Sequence, residues 1–153
     1  MDAAVSILNA SGARLDWEEA PAGLNAFETF GDPLPEKTID SIRNNGLCFK
    51  GPLTTPVGQG FRSINVALRQ EFDLYANIRP ATSWQGVQSR YDDVDVVTVR
   101  ENTEGLYMGL ENYMARDKSI AQSLAVITKN GSDRINEYAF QYAENNNRNK
   151  VTV

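Results

Sequence analysis

Histidine is absent from the 153 residues, and that absence removes much of enzyme chemistry at once. Without an imidazole there is no Ser-His-Asp or Cys-His nucleophile and no histidine metal ligand. Acid–base work falls to Tyr, Lys, Asp or Glu. Cys48 is the only cysteine, which excludes an internal disulfide and a cysteine zinc site and fits a reducing compartment. Following Leu47 in an apolar run, Cys48 is expected to be a small buried hydrophobe. No stretch of apolar residues is long enough to span a membrane, and the opening MDAAVSILNASG lacks the basic region and long apolar core of a signal peptide. The expectation is a cytoplasmic protein without a membrane partner. Positive charge is also short: 15 Lys and Arg against 20 Asp and Glu leave a formal charge of -5. That argues against nucleic acid, whose phosphates are bound by clustered cations. An acidic chain can still hold an anion, provided its arginines are local.

What is present supports a folded domain. Hydrophobic residues make up 41% and charged residues 23%, close to soluble globular averages. A chain of this length buries about 68–70% of its unfolded surface. Ala3, Ala4, Ile7, Leu8 and Ala10 stand at helical spacing with Gly12 as a stop. Arg14 to Ala20 alternates as a strand would. Ala22 to Phe30 reads as a helix ended by Gly31, and Pro33 and Pro35 open another that carries Ile39 and Ile42 and stops at Gly46. Leu47 to Lys50 is expected to be a short buried strand. This alternation favours an α/β fold with a mostly parallel sheet flanked by helices.

The segment 51–61, rich in Gly and Pro, reads as a loop able to bring backbone close to a ligand. Ser63 can cap a helix to about Phe72, after which 74–78 and 94–99 read as strands separated by a polar loop at 83–93. Residues 109–123 are irregular, an extended arm. Lys129 to Gly131 reads as a turn, 132–145 as a strong amphipathic helix, 145–149 as its end, and 151–153 as the start of another strand. There is no internal repeat.

Four arginines gain meaning together. Arg69 lies one helical turn after Asn65, with Ser63 at the mouth of that helix and Arg62 before it. Arg79 and Arg100 each end an apolar strand, the place where ligands gather in parallel α/β sheets. Guanidinium forks suit carboxylates. The plainer alternative is ordinary surface pairing, worth about 0–1 kcal/mol for each arginine. Tyr107, seven residues after Arg100, is either a proton donor facing the same pocket or a half-buried strand tyrosine. Lys50 is an anion contact or a solvated strand end. The GQG at 58–60 has neither nucleotide-loop spacing, and Asp92, Asp93 and Asp95 read as a solvated loop entering a strand.

FKGPLTTPVGQGFRSINVALRQEFDLYANIRP (49–80) and VVTVRENTEGLYMG (96–109) resemble the signature regions of isocitrate dehydrogenases, especially the NAD-dependent kind, within the isocitrate and isopropylmalate dehydrogenase family. The similarity continues through WEEAPAGLNAFETFGDPLPEKTIDSIRNNG and ITKNGSDRINEYAFQYAENNNRNKVTV, and so covers essentially the whole chain. It implies that Ser63 and Asn65 contact substrate, with Ser63 near the carboxylate that separates isocitrate from isopropylmalate. Arg69, Arg79 and Arg100 would clamp carboxylates, and Tyr107 would be the catalytic tyrosine. Thr55, and with it Lys50, would lie near the nicotinamide end of NAD, NADP being left open. The implied reaction is oxidation of isocitrate followed by loss of carbon dioxide, with magnesium or manganese holding the substrate.

The same resemblance implies a partial fold, incomplete at both ends. Residues 1–74 would form part of a large α/β domain with the substrate loop and helix, and 75–153 part of a small domain with the 109–123 arm reaching across a homodimer. The family's catalytic lysine, metal-binding aspartates and adenosine segment would fall beyond Val153, leaving no metal ligand here and no turnover expected from this chain alone. Two alternatives stay open: a non-catalytic, regulatory protein that binds a tricarboxylate, and homoisocitrate or another 3-substituted malate as substrate.

Overall fold

The computed structural model describes residues 1–54 and 63–153. Thr55, Arg62 and the GQG at 58–60 lie outside the described residues. The chain divides into two compact units, Met1–Ala67 and Leu68–Val153.

In the first unit, the glycine stops do what their sequence positions predict. Helix α1 (Asp2–Ala10) ends where the Ser11 hydroxyl donates to the Leu8 carbonyl at 2.7 Å. Helix α2 (Leu24–Phe30) and helix α3 (Glu36–Asn45) both run into a left-handed glycine, Gly31 at φ 74° and Gly46 at φ 65°. Glycine adopts that conformation without the clash a Cβ would bring. The small core holds Ala26 and Ile39 with the buried Thr38, whose hydroxyl donates to the Pro21 carbonyl at 2.6 Å. Ile64, at the start of helix α4 (Ile64–Glu71), is fully buried.

Two expected strands are not strands. Residues 14–20 and 47–50 join no ladder, and they meet instead through side chains. The Trp17 ring is tilted against Phe49 with centroids 6.2 Å apart, and its indole N–H donates to Asn9 Oδ1 at 3.0 Å. Alternation makes a chain extended, but a strand also needs a hydrogen-bonding neighbour. Leu47 is 77% exposed and Cys48 is exposed as well, so the expected burial of this segment is corrected.

In the second unit, strand β1 (Ala76–Thr82) pairs antiparallel with strand β2 (Asp95–Glu101), running from Ala76 opposite Glu101 to Thr82 opposite Asp95. Strand β3 (Gly105–Tyr113) pairs antiparallel with strand β4 (Ala121–Val126), with an irregularity between Gly105 and Leu110. The expected irregular arm is therefore largely a β-hairpin. Of the mostly parallel sheet expected, both ladders formed among the described residues are antiparallel. Pro80 is tolerated in β1 because a two-stranded sheet has only edges, where a missing N–H costs little.

Helix α5 (Lys129–Asn145) begins one turn earlier than expected. Residues 129–131 are its first turn, not a free turn, because the Thr128 side chain accepts the Gly131 N–H at 2.9 Å and caps the helix. Residues 151–153 join no ladder. Among the described residues, no helix is long and apolar enough to cross a membrane.

Candidate active site

Side chains alternate across a ladder, and residues directly opposite each other share a face. Asn77 is opposite Arg100 and Arg79 is opposite Thr98, so these four lie on one side of the β1–β2 ribbon. The other side carries Ile78, Val97 and Val99, with Asp95 and Glu101 at its two ends. That side faces α5: Arg134 of the helix lies 3.8 Å from Glu101, and Arg148 just beyond it bonds Asp95. The helix covers the apolar face and leaves the cationic face open.

On the open face Arg100 reaches Tyr107. Its Nη2 donates to the Tyr107 hydroxyl oxygen at 2.7 Å. The Arg69 guanidinium lies 5.2 Å from the same ring centre, and that of Arg100 5.4 Å. Such contacts contribute about 0.5–1 kcal/mol each at exposed sites. Chemically the arrangement is more informative than its energy. Because the phenol oxygen accepts from Arg100, its own proton is free to be donated elsewhere. The backbone around the ring is also held: Gln70 Nε2 donates to the Tyr107 carbonyl at 2.9 Å, and the Tyr107 N–H reaches the Glu104 carbonyl at 3.3 Å.

The remaining candidates have different surroundings. Arg79 shares the Arg100 face, but its Nε donates to Asn77 Oδ1 at 3.3 Å and it does not join Tyr107. Ser63 is exposed, and its carbonyl accepts the N–H groups of Val66 and Ala67, both at 2.9 Å, which starts α4. Asn65 carries a buried side-chain oxygen without a hydrogen-bond partner. Lys50 is exposed, with Nζ donating to the adjoining Gly51 carbonyl at 3.0 Å.

Five residues that sequence reasoning passed over, Glu101, Thr103, Glu104, Thr128 and Arg134, hold the loop between Arg100 and Tyr107. Glu101 accepts the Thr103 hydroxyl at 2.6 Å and the backbone N–H groups of Thr103 and Glu104. Burial pulls its carboxyl upward, but these hydrogen bonds together outweigh burial and hold it below the usual glutamate value. Thr103 Oγ1 in turn accepts from Arg134 at 2.9 Å. Glu104 accepts from the Thr128 N–H at 2.8 Å and its hydroxyl at 2.6 Å, which sets a carboxylate at the positive end of α5. A Cβ on Gly131 would collide with that carboxylate. Beneath the loop is a cleft of about 320 Å³ lined by Arg100, Glu104, Leu106, Tyr107, Ile127 and Ile135.

Among the described residues no group of three or more His, Cys, Asp or Glu could hold a metal ion. The metal that the resemblance implies has no ligand set among them. Of the two residues expected near the cofactor, Lys50 bonds the adjoining Gly51 carbonyl, and Thr55 lies outside the described residues. No step is derived through either group.

The sequence pattern described as isocitrate/isopropylmalate dehydrogenase matches residues 1–153. The probable alpha subunit of a mitochondrial isocitrate dehydrogenase (NAD) of Drosophila melanogaster is 49% identical over 154 residues, 96% of this chain and 38% of that protein. A regulatory subunit of the mitochondrial isocitrate dehydrogenase (NAD) of Dictyostelium discoideum is 45% identical over 146 residues, 95% of this chain and 39% of that protein. The crystal structure of isocitrate dehydrogenase from Methylococcus capsulatus superposes with a TM-score of 0.91 at 55% identity, covering 96% of this chain and 44% of that one. The chain thus spans about two fifths of the length of the curated relatives it matches. Their α/β fold, in part, is the fold described above, and the chain belongs to the isocitrate/isopropylmalate dehydrogenase family.

Proposed function

We propose that this chain is the substrate-binding part of an NAD-dependent isocitrate dehydrogenase. The observation that carries the reading is the Tyr107 hydroxyl held at 2.7 Å by Arg100 with Arg69 over its ring. Guanidinium groups at these positions suit a substrate with several carboxylates. A phenol between them is placed to give a proton to carbon once carbon dioxide has left. In this reading Arg69, Arg79 and Arg100 hold carboxylates, Ser63 and Asn65 contact the substrate, and Lys50 and Thr55 lie toward the nicotinamide. When bound, NAD, with NADP as the other candidate, would supply a hydride acceptor and magnesium or manganese a Lewis acid, although the described residues offer no ligand set for the metal.

Calorimetric titration of the chain with isocitrate, with and without magnesium, tests the reading. Saturable heat with isocitrate, and at least tenfold weaker binding of isopropylmalate, is the expected result. Equal affinity for the two acids, or tighter binding of homoisocitrate, would move the substrate to another 3-substituted malate. Ser63→Leu probes the same choice and should weaken isocitrate selectively.

A second reading is favoured by one observation. The identity to a protein named as regulatory, 45%, is close to the 49% shared with one named as an alpha chain. A regulatory protein of this kind keeps the tricarboxylate site and acts on a catalytic partner. If this chain changes the isocitrate dependence of a catalytic homologue when mixed with it, this reading gains over the first.

The exposed apolar side chains of Tyr113, Met114 and Ile120 on the β3–β4 hairpin support burial against another protomer. A homodimer is the simplest such assembly, and the names of the relatives, alpha and regulatory, support a mixed one.

A further inference from the structure

We propose that Arg134 is a positioning residue that sets the geometry of the Arg100–Tyr107 pair by joining the three chain segments around it. Its guanidinium meets all three, through Nη1, its face and Nη2, while the buried Nε has no hydrogen-bond partner. Nη1 donates to both carboxylate oxygens of Asp73, at 3.0 and 2.8 Å, just past the end of α4. Asp73 has φ 45°, a left-handed conformation uncommon for a residue with a side chain but more accessible to Asp. Fixing it fixes the end of the helix turn that carries Arg69 and Gln70, the two residues set against the Tyr107 ring and carbonyl. The same guanidinium lies 4.5 Å from the Tyr75 ring centre, at the entrance to β1. Nη2 donates to Thr103 Oγ1 at 2.9 Å, and that hydroxyl donates to Glu101 Oε1 at 2.6 Å. The Glu101–Glu104 loop is the link from Arg100 to Tyr107.

Geometry explains why the residue is an arginine. One planar fork serves a carboxylate, a hydroxyl and a ring face together, whereas an ammonium group is a single point with three rotating donors. The Arg134 side chain is 26% exposed against 67% for Asp73, so the Thr103 contact is the shielded one and the Asp73 pair is largely solvated. No atom of Arg134 takes part in the Arg100–Tyr107 hydrogen bond, so it acts through the loop and the helix end.

This inference rests on the proposed reading only in treating Arg100 and Tyr107 as facing substrate. The test uses the 153-residue chain with tyrosine carrying carbon-13 at Cζ, whose NMR signal responds to hydrogen bonding at the phenol oxygen. Tyr107→Phe assigns the signal. Thr103→Val, which keeps the shape and removes the hydroxyl, and Arg134→Lys are both expected to move the Tyr107 signal by more than its linewidth. Tyr91, Tyr113 and Tyr142 should stay in place, and Thr103→Ser should restore the native position. The dissociation constant for isocitrate should rise about tenfold in Thr103→Val and Arg134→Lys, a change of roughly 1.4 kcal/mol. An unmoved Tyr107 signal in Thr103→Val, or Thr103→Ser behaving as Thr103→Val, overturns the proposal even if the melting temperature falls. Were Arg134→Lys to unfold, the Thr103 pair still decides. A native chain that binds no isocitrate defeats the substrate reading, while the Tyr107 signal in the unliganded chain still judges this one.

Discussion

Arg148 and Asp95 meet at 2.6 Å across 53 residues of chain, the guanidinium just past α5 closing on the first residue of β2. Their side chains are 30% and 62% exposed, so the pair is largely solvated and its net worth is expected to be about 0–1 kcal/mol. Asp95→Asn should therefore lower the urea unfolding free energy of the chain by less than about 1 kcal/mol. A larger loss would mean that this end of the helix is held mainly by charge.

Substrate contacts should separate by chemistry. Removing a guanidinium that bonds a carboxylate forfeits a charge-assisted interaction of about 1.5–3 kcal/mol, or roughly tenfold to a hundredfold in affinity. Arg100→Met is expected to weaken isocitrate by at least about tenfold on that basis. Tyr107→Phe should cost the chain little binding, because the proposed proton donor acts after binding. Calorimetry on both variants checks the contrast, and equal losses would deny Tyr107 that role.

Acid should loosen the loop between β2 and β3. The Glu101 carboxyl is held below the usual glutamate value in the folded chain, burial opposing and hydrogen bonds from Thr103 and Glu104 prevailing. A depressed folded value stabilises above the unfolded one, and that stability is lost as pH falls through the folded one. Glu101→Gln should thus lower the melting temperature at neutral pH and differ little from the native chain in strong acid. Melting curves from pH 7 to pH 3 measure it.

The cap on α5 has a direct test. Thr128→Ala removes both the acceptor for the Gly131 N–H and the hydroxyl given to Glu104. Loss of such a cap costs about 1 kcal/mol, and Thr128→Ser should recover most of it. Denaturant unfolding of the pair would show whether the helix start depends on this hydroxyl.

The β3–β4 hairpin should make the chain associate. Tyr113 is 64%, Met114 69% and Ile120 54% exposed, on a ribbon whose two strands pair only with each other among the described residues, leaving edges to pair elsewhere. Sedimentation is expected to show concentration-dependent dimers or larger species. Met114→Lys with Ile120→Lys should shift the population toward monomer while leaving helix content unchanged.

Local chemistry is the legible part of this chain. The left-handed glycines after α2 and α3 are readable because the stop signal and the conformation are the same fact. Strands are harder. Trp17 and Phe49 sit in segments with strand-like sequence, yet pairing depends on distant backbone that no local pattern encodes. Gly131 suggests a turn because glycine usually marks one, and the Thr128 cap that makes it helical is a signal present three residues earlier. Within the candidate site, Arg69, Arg100 and Tyr107 are found by motif and are brought together. Gln70, Thr103, Glu104 and Arg134 have no signature, since each works through a partner remote in sequence. Arg79 stands on the expected face, but its contact there is with Asn77.

The β1–β2 ladder also determines where this chain can change length. One residue inserted between Thr98 and Arg100 would turn Arg100 through to the side occupied by α5, because a one-residue slip exchanges the faces of a strand. Insertions between Ser83 and Val94 would not, since the Ser83 N–H closes on the Val94 carbonyl at 2.9 Å and shuts the loop off at its base. The spacing from Asp95 to Arg100 is thus a counted distance, while the loop that precedes it is free to lengthen or shorten without disturbing the arginine that meets Tyr107.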